Sequence, residues 1–179
     1  MFKSEKGITL VALVITIIVL LILAGITLML ALGDNGILGQ AQKAKIASIE
    51  GEVSESMRLA ILSAKSEIMY YTNDSVADND PDGTGTGARN VGTMVSDALP
   101  HKEGSAAIDP TMWEVSYTAS TSSANGSGTI TYKGSNYKSA IGDSAAQITM
   151  TFTYNPVTYT LTSTAPASNI TTSALYVAP

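Results

Sequence analysis

The sequence predicts an α+β fold in which a long N-terminal helix packs on a C-terminal antiparallel β-sheet. Residues 8–32 carry no charge and are strongly apolar, and apolar residues then recur at helical spacing up to residue 71. From residue 111 the composition changes to Thr, Tyr, Ser and Val, with Gly and Pro between the runs. The helix is therefore expected to be apolar in its first half and amphipathic in its second.

The apolar run from Ile8 to Leu32 is predicted to be a membrane-spanning helix. At about 1.5 Å per residue it would be roughly 37 Å long, which exceeds a hydrocarbon core of about 30 Å. Lys3 and Lys6 precede it, so the N-terminus is expected in the cytoplasm and the remainder outside. The run is too long for a secretory signal cleaved near Gly33, whereas a plain signal anchor fits its length.

The junction between residues 1–7 and the apolar run carries a more specific pattern. It consists of a basic residue, a glycine and an apolar helix, and it resembles the processing motif of type IV prepilins. The residues that carry this resemblance are Lys6, Gly7, Ile8, Thr9, Leu10, Val11, Ala12, Leu13 and Val14. The resemblance implies that residues 1–7 are a cytoplasmic leader. It also implies that a prepilin peptidase cuts after Gly7 and methylates the new amine of Ile8. Residues Ile8 to Val14 would then begin the filament core.

Two positions depart from the family pattern. Ile8 stands where the family usually has Phe or Met, and Ala12 stands where it usually has a glutamate that is thought to neutralise the terminal amine of a neighbouring subunit. An uncompensated amine in an apolar core costs several kcal/mol, so the chain either shields the amine in another way or is a less ordinary member. With Ala12 in place of the usual glutamate it resembles a Gram-positive-like variant of the family. Thr9 and Thr16 are candidate substitutes, although we favour the interpretation that their hydroxyls bond back to carbonyls of their own helix.

A glycine-rich cluster follows the apolar run and is expected to break the helix. It comprises Gly33, Asp34, Asn35 and Gly36, and Asp34 or Asn35 is suited to cap the helix that continues. Related filaments unwind near a proline, which this chain lacks from Ile8 to Asp80. The glycines are the residues whose unwinding costs least.

Residues 33–71 are predicted to form the amphipathic helix. One stripe repeats at intervals of three and four residues: Ile46, Ile49, Val53, Met57, Ala60, Ala64 and Ile68. We expect this stripe to pack on the protein's own sheet, with a coiled coil to a partner as the alternative.

Residues 72–110 are expected to be a connecting loop with a short helix at 91–99, and residues 111–179 a β-sheet head. Strands are predicted at 113–119, 129–132, 147–154 and 157–162. Asn155-Pro156 predicts a turn, so the last two strands should be antiparallel neighbours.

The connecting loop contains a candidate calcium site. Asp78, Asp80 and Asp82 alternate before Gly83, which matches the first half of a D-x-D-x-D-G calcium loop. Arg89 stands where such a loop places its bidentate acid, and we therefore favour a solvated acidic turn. No other cofactor is expected.

Composition argues against several functional classes. The chain has no cysteine, which removes disulfides and thiolate metal sites, and its net charge of -5 with pI ≈ 4.7 does not suit nucleic-acid phosphates. The single histidine, His101, and the lack of a G-x-S-x-G elbow argue against an enzyme.

The expected function is that of a structural subunit of a type IV pilus-like extracellular filament. The precursor is expected in the cytoplasmic membrane and the assembled subunit on the cell surface. Adhesion is one role that such filaments serve. The expected partners are copies of the chain, a prepilin peptidase, the pilus assembly machinery and the membrane. The alternatives are a minor pilin or pseudopilin of a secretion or DNA-uptake system, and a monomeric membrane-anchored surface domain that binds a ligand.

Overall fold

A computed structural model describes residues 6–32, 36–73, 81, 89–121 and 124–170. The chain divides into two compact units, with the boundary between Lys45 and Ile46. The first unit contains helix α1, Lys6–Leu32, and the first residues of helix α2, Ile37–Asn73. The second unit contains the rest of α2 and all the elements that follow it.

The second unit combines helices with an antiparallel sheet, which confirms the predicted α+β class. Its elements after α2 are α3 Val91–Asp97, β1 Trp113–Thr118, β2 Gly126–Tyr132, α4 Ser135–Ile141, β3 Ile148–Asn155, β4 Thr160–Ser163 and β5 Ala167–Ser168. The sheet order is β1-β2-β3-β4, and β5 also pairs with β3. The α2 side chains from Ile46 onward share one apolar core with the inner face of this sheet.

The predicted apolar stripe of α2 is confirmed. All seven residues of the stripe are buried, from Ile46 at 5% exposure to Ile68 at 1%, and Ile61 joins them at 3%. The charged residues Glu52, Glu55, Arg58 and Lys65 are exposed. The helical period therefore separates a core face from a solvent face.

The predicted strands correspond to β1 to β4, although β2 begins at Gly126, three residues before its predicted start. β3 and β4 pair antiparallel as predicted, with Asn155 opposite Thr160. The prediction that the last strand starts at Val157 is wrong, because a turn occupies residues 156–159 and Val157 is 75% exposed. The Asn155 side-chain oxygen accepts hydrogen bonds from the backbone N–H groups of Val157 and Thr158, which fixes this longer turn.

Helix α4 was not predicted from the sequence. It ends at Gly142, whose φ of 80° is the left-handed conformation that favours glycine after a helix. Its buried residues are Tyr137 and Ala140. Tyr137 becomes part of the core between α2 and the sheet.

Candidate functional site

Helix α1 is apolar on every side. From Leu10 to Leu30 its mean hydropathy is 3.1 and none of it is buried by the rest of the protein. Exposed fractions range from 46% at Val14 to 79% at Met29. The chain thus has one helix near its N-terminus that is long and apolar enough to span a membrane.

The predicted processing junction lies in the first turn of this helix. α1 begins at Lys6, so Gly7 and Ile8 are its second and third residues. The first N–H groups of a helix have no partner within the helix, and the first turn is therefore the easiest to unwind. The side chains of residues 6–9 lie outside the described part of the structure, and cleavage after Gly7 stays a prediction.

The predicted core segment continues along the same helix. Leu10, Val11, Ala12, Leu13 and Val14 are all exposed. The glutamate that the family usually has at the position of Ala12 would therefore lie on an exposed part of the helix surface. The residues predicted to meet neighbouring subunits are therefore uncovered in the single chain.

The threonines of α1 use their hydroxyl groups within the helix. Thr16 Oγ1 donates a hydrogen bond to the Leu13 carbonyl at 2.8 Å, and Thr27 Oγ1 donates one to the Leu23 carbonyl at 2.9 Å. The favoured interpretation of Thr16 is thereby confirmed, with a partner three residues back in the chain. The Thr9 side chain lies outside the described residues.

The predicted helix break lies between the two long helices. α1 ends at Leu32 and α2 begins at Ile37. Gly36 forms a bend, and its carbonyl accepts the first hydrogen bond of α2 from the Gln40 N–H at 3.0 Å. Gly33, Asp34 and Asn35 lie outside the described residues, so their role as a break and a cap stays a prediction.

The predicted calcium ligands Asp78, Asp80 and Asp82 also lie outside the described residues. Within the part of the chain that the structure describes, no group of three or more His, Asp or Glu side chains is placed to hold a metal ion. The next described basic residue, Arg89, forms ion pairs with Glu67 of α2, at 2.5 Å, and with Asp97 of α3. It therefore joins α2 to α3.

His101 is exposed, and its backbone forms an isolated bridge with Ile108. This geometry places the histidine on the surface of the second unit.

Sequence reasoning missed a polar contact that joins three elements of the second unit. The Tyr137 hydroxyl of α4 donates to Glu50 Oε1 of α2 at 2.8 Å, and it lies 2.6 Å from Ser168 Oγ of β5. The pKa of Tyr137 is raised from 10.0 to about 12, chiefly by burial; the hydrogen bond to Ser168 opposes the rise and the Glu50 carboxylate adds to it. Glu50 and Tyr137 are 87 positions apart, and no local pattern links them.

Comparison with known proteins adds no further information about this arrangement. No family model matches the sequence, and neither the curated proteins nor the solved structures contain a significant match.

Proposed function

We propose that the chain is the structural subunit of a type IV pilus-like filament, cleaved after Gly7 and polymerised through α1. The observation that carries this proposal is a helix that is apolar on all sides, begins at a Lys-Gly junction, and precedes an α+β unit with a polar surface. Before assembly the helix resides in the cytoplasmic membrane. Afterwards it lies among copies of itself, with the second unit outside.

The exposed apolar surface of α1 requires a partner. Burying one large aliphatic side chain is worth about 1.5–3 kcal/mol relative to water, and almost every residue from Leu10 to Leu30 contributes. Lipid supplies this burial for the precursor. Moving from lipid to a filament gains no hydrophobic energy, so packing between helices and the assembly machinery must drive that step.

The leader accounts for the remaining features of the N-terminus. Its two lysines hold it on the cytoplasmic side, and its glycine presents backbone without a side chain to a peptidase at the membrane surface. Removing residues 1–7 deletes Lys3, Glu5 and Lys6, which changes the charge from 10 - 15 = -5 to 8 - 14 = -6. The mature subunit then starts at Ile8 with a free or methylated amine.

Helix α2 offers a second apolar surface. Leu59, Leu62 and Met69 are 53%, 62% and 65% exposed, on the side of the helix away from its buried stripe. Solvent-facing aliphatic residues at helical spacing are typical of a helix that packs against another helix. This surface supports assembly through both long helices.

The proposal is tested by the mass and state of the chain in cells. We expect sheared surface filaments to contain the chain as their main component, with an intact mass that begins at Ile8. Gly7→Leu should leave full-length protein in the membrane and abolish filaments. Ser4→Leu, which places the same bulk inside the leader, should be processed normally.

Two results would contradict the proposal. Filaments of normal abundance built from uncut Gly7→Leu protein would remove the role assigned to the junction. Finding the wild-type chain only in the membrane, unpolymerised, would support the membrane-anchored surface domain, and finding it as a trace component of filaments would support the minor pilin.

A further inference from the structure

A partly enclosed cleft lies between α2 and the sheet in the second unit. Its volume is about 110 Å³. One helix face, two neighbouring strands and the ends of α3 and α4 meet around it. The lining residues are Ile49, Glu52, Val53, Ser56, Pro100, Met112, Trp113, Tyr132 and Asn136.

The inner part of the cleft is aromatic and apolar. Trp113 and Tyr132 are register partners on β1 and β2, and their ring centroids are 4.8 Å apart with a 60° angle between the planes. They are only 3% and 2% exposed. Ile49 and Val53 close this part from the helix side.

The rim of the cleft carries one negative charge and an amide. Glu52 is exposed, and within the described residues its carboxylate forms no ion pair. The Tyr132 hydroxyl donates to Asn136 Oδ1 at 2.6 Å, which leaves the Asn136 amide hydrogens directed elsewhere. Among the described residues that line the cleft there is no lysine or arginine.

The Glu52 carboxylate affects the pKa of Tyr132 in the aromatic part of the cleft. Burial is the main cause that raises the pKa of Tyr132, the hydrogen bond to Asn136 lowers it, and the Glu52 carboxylate raises it again. The carboxylate is therefore close enough to act on the phenol electrostatically. An anion in the cleft would meet the same repulsion, and a cation would be attracted.

We propose that this cleft binds a primary ammonium group carried on a short apolar chain. The chain lies against the apolar wall of the cleft, and the ammonium lies at Glu52, where the carboxylate favours a cation. The small volume of the cleft restricts the ligand to a short alkyl chain. The ligand is either a free alkylamine or the side chain of a lysine in another protein, and the site does not depend on filament formation.

The single tryptophan of the chain gives a direct assay, because Trp113 lines the cleft. Full-length protein in detergent is titrated with n-butylammonium chloride while the tryptophan emission is recorded. We expect a saturable change in emission. At the same ionic strength, n-butanol should bind at least threefold more weakly and sodium butyrate should produce no saturable change.

Two matched variants test the role of the carboxylate. Glu52→Gln should weaken the binding of n-butylammonium about three- to fivefold, as expected for one partly exposed ion pair. Glu55→Gln removes an exposed charge from the next turn of α2, outside the cleft, and should leave the affinity unchanged.

A third ligand, N-acetyl-lysine amide, distinguishes a lysine side chain from a free amine as the source of the ammonium group. Tighter binding of N-acetyl-lysine amide than of n-butylammonium indicates a lysine side chain, and the reverse order indicates a free amine. The absence of a saturable response to either ligand up to about 100 mM, where very weak sites are already filled, overturns the proposal. Equal affinities of the Glu52→Gln and Glu55→Gln variants also overturn it.

Discussion

Replacing Tyr137 by phenylalanine tests how α4 and β5 are held on α2. The Tyr137 side chain is fully buried, with an exposed fraction of 0%, and its hydroxyl contacts the Glu50 carboxylate and the Ser168 hydroxyl. The substitution keeps the ring and removes both hydrogen bonds. A hydrogen bond to a charged group contributes about 1.5–3 kcal/mol and one between neutral groups about 0.5–1.5 kcal/mol.

The expected loss at pH 7 is about 1.5–3 kcal/mol in the free energy of unfolding. It lies below the sum of the two bonds, because Glu50 and Ser168 are only partly buried and recover contacts with water in the variant. Such a loss is large for a domain whose total stability is about 5–15 kcal/mol.

The pH dependence follows from the raised pKa of Tyr137. The value rises from 10.0 to about 12 in the folded protein, so the folded state favours the protonated phenol. This contribution is fully present below pH 10 and is lost as the pH rises from 10 to 12, because the unfolded chain releases its proton first. The free-energy advantage of the wild type over Tyr137→Phe should therefore shrink across that window, by about 1–3 kcal/mol.

Urea unfolding of the full-length protein in detergent, followed by Trp113 emission, measures both effects because Trp113 lies in the same unit. Tyr159→Phe, at an exposed tyrosine, should change the stability by less than about 0.5 kcal/mol. Equal stabilities of Tyr137→Phe and wild type at pH 7, or a stability difference that stays constant from pH 9 to 12, would refute the reasoning.

Three further predictions concern glycines and the acidic segment. Gly128→Ala should destabilise the second unit by about 1–3 kcal/mol in urea unfolding, because the new Cβ would lie 2.4 Å from an aromatic carbon and 2.6 Å from a backbone oxygen. Gly51→Ala should instead stabilise it by about 0.5–1 kcal/mol, because Gly51 lies on an exposed part of α2 and its new Cβ would have nothing within 4 Å. Replacing Gly33 and Gly36 together with alanine should leave membrane insertion intact but impair assembly or change the rise per subunit, and one unbroken helix in the filament would contradict this. Calorimetry should show, at most, weak calcium binding that disappears when the second and third aspartates of segment 78–82 are replaced, and no heat at millimolar calcium would leave an acidic turn.

The parts of the fold that could be predicted from the sequence are those decided by local periodicity. The stripe from Ile46 to Ile68 is buried as expected, because spacing by three and four residues places side chains on one helix face whatever they pack against. The pairing of β3 with β4 was also local, since Asn155 starts the turn between them.

The errors arose where a longer turn or a distant contact determines the structure. The turn after Asn155 extends to Tyr159, whose φ is 54°, so a β-prone residue at Val157 is outside the strand. Helix α4 spans only seven residues, too few for a clear period, and its Tyr137 is held by a carboxylate far away in the chain. The cleft beside Glu52 depends in the same way on elements that meet only after folding.

The side chains on the outer face of the sheet help to decide which surfaces of the protein are suited to assembly. Ser116, Thr129 and Thr151 lie in register across β1, β2 and β3 on this face, and one charged pair, Glu114 with Lys133 at 2.8 Å, lies near its edge. The hydroxyl groups of these side chains leave little apolar area to bury, and the β-branched threonines favour strand structure. The large exposed apolar side chains are concentrated instead on α1 and on the outer side of α2. Large apolar side chains must be covered by lipid or by other helices, and this distribution supports the proposal that the helices, rather than the sheet, make the contacts between subunits.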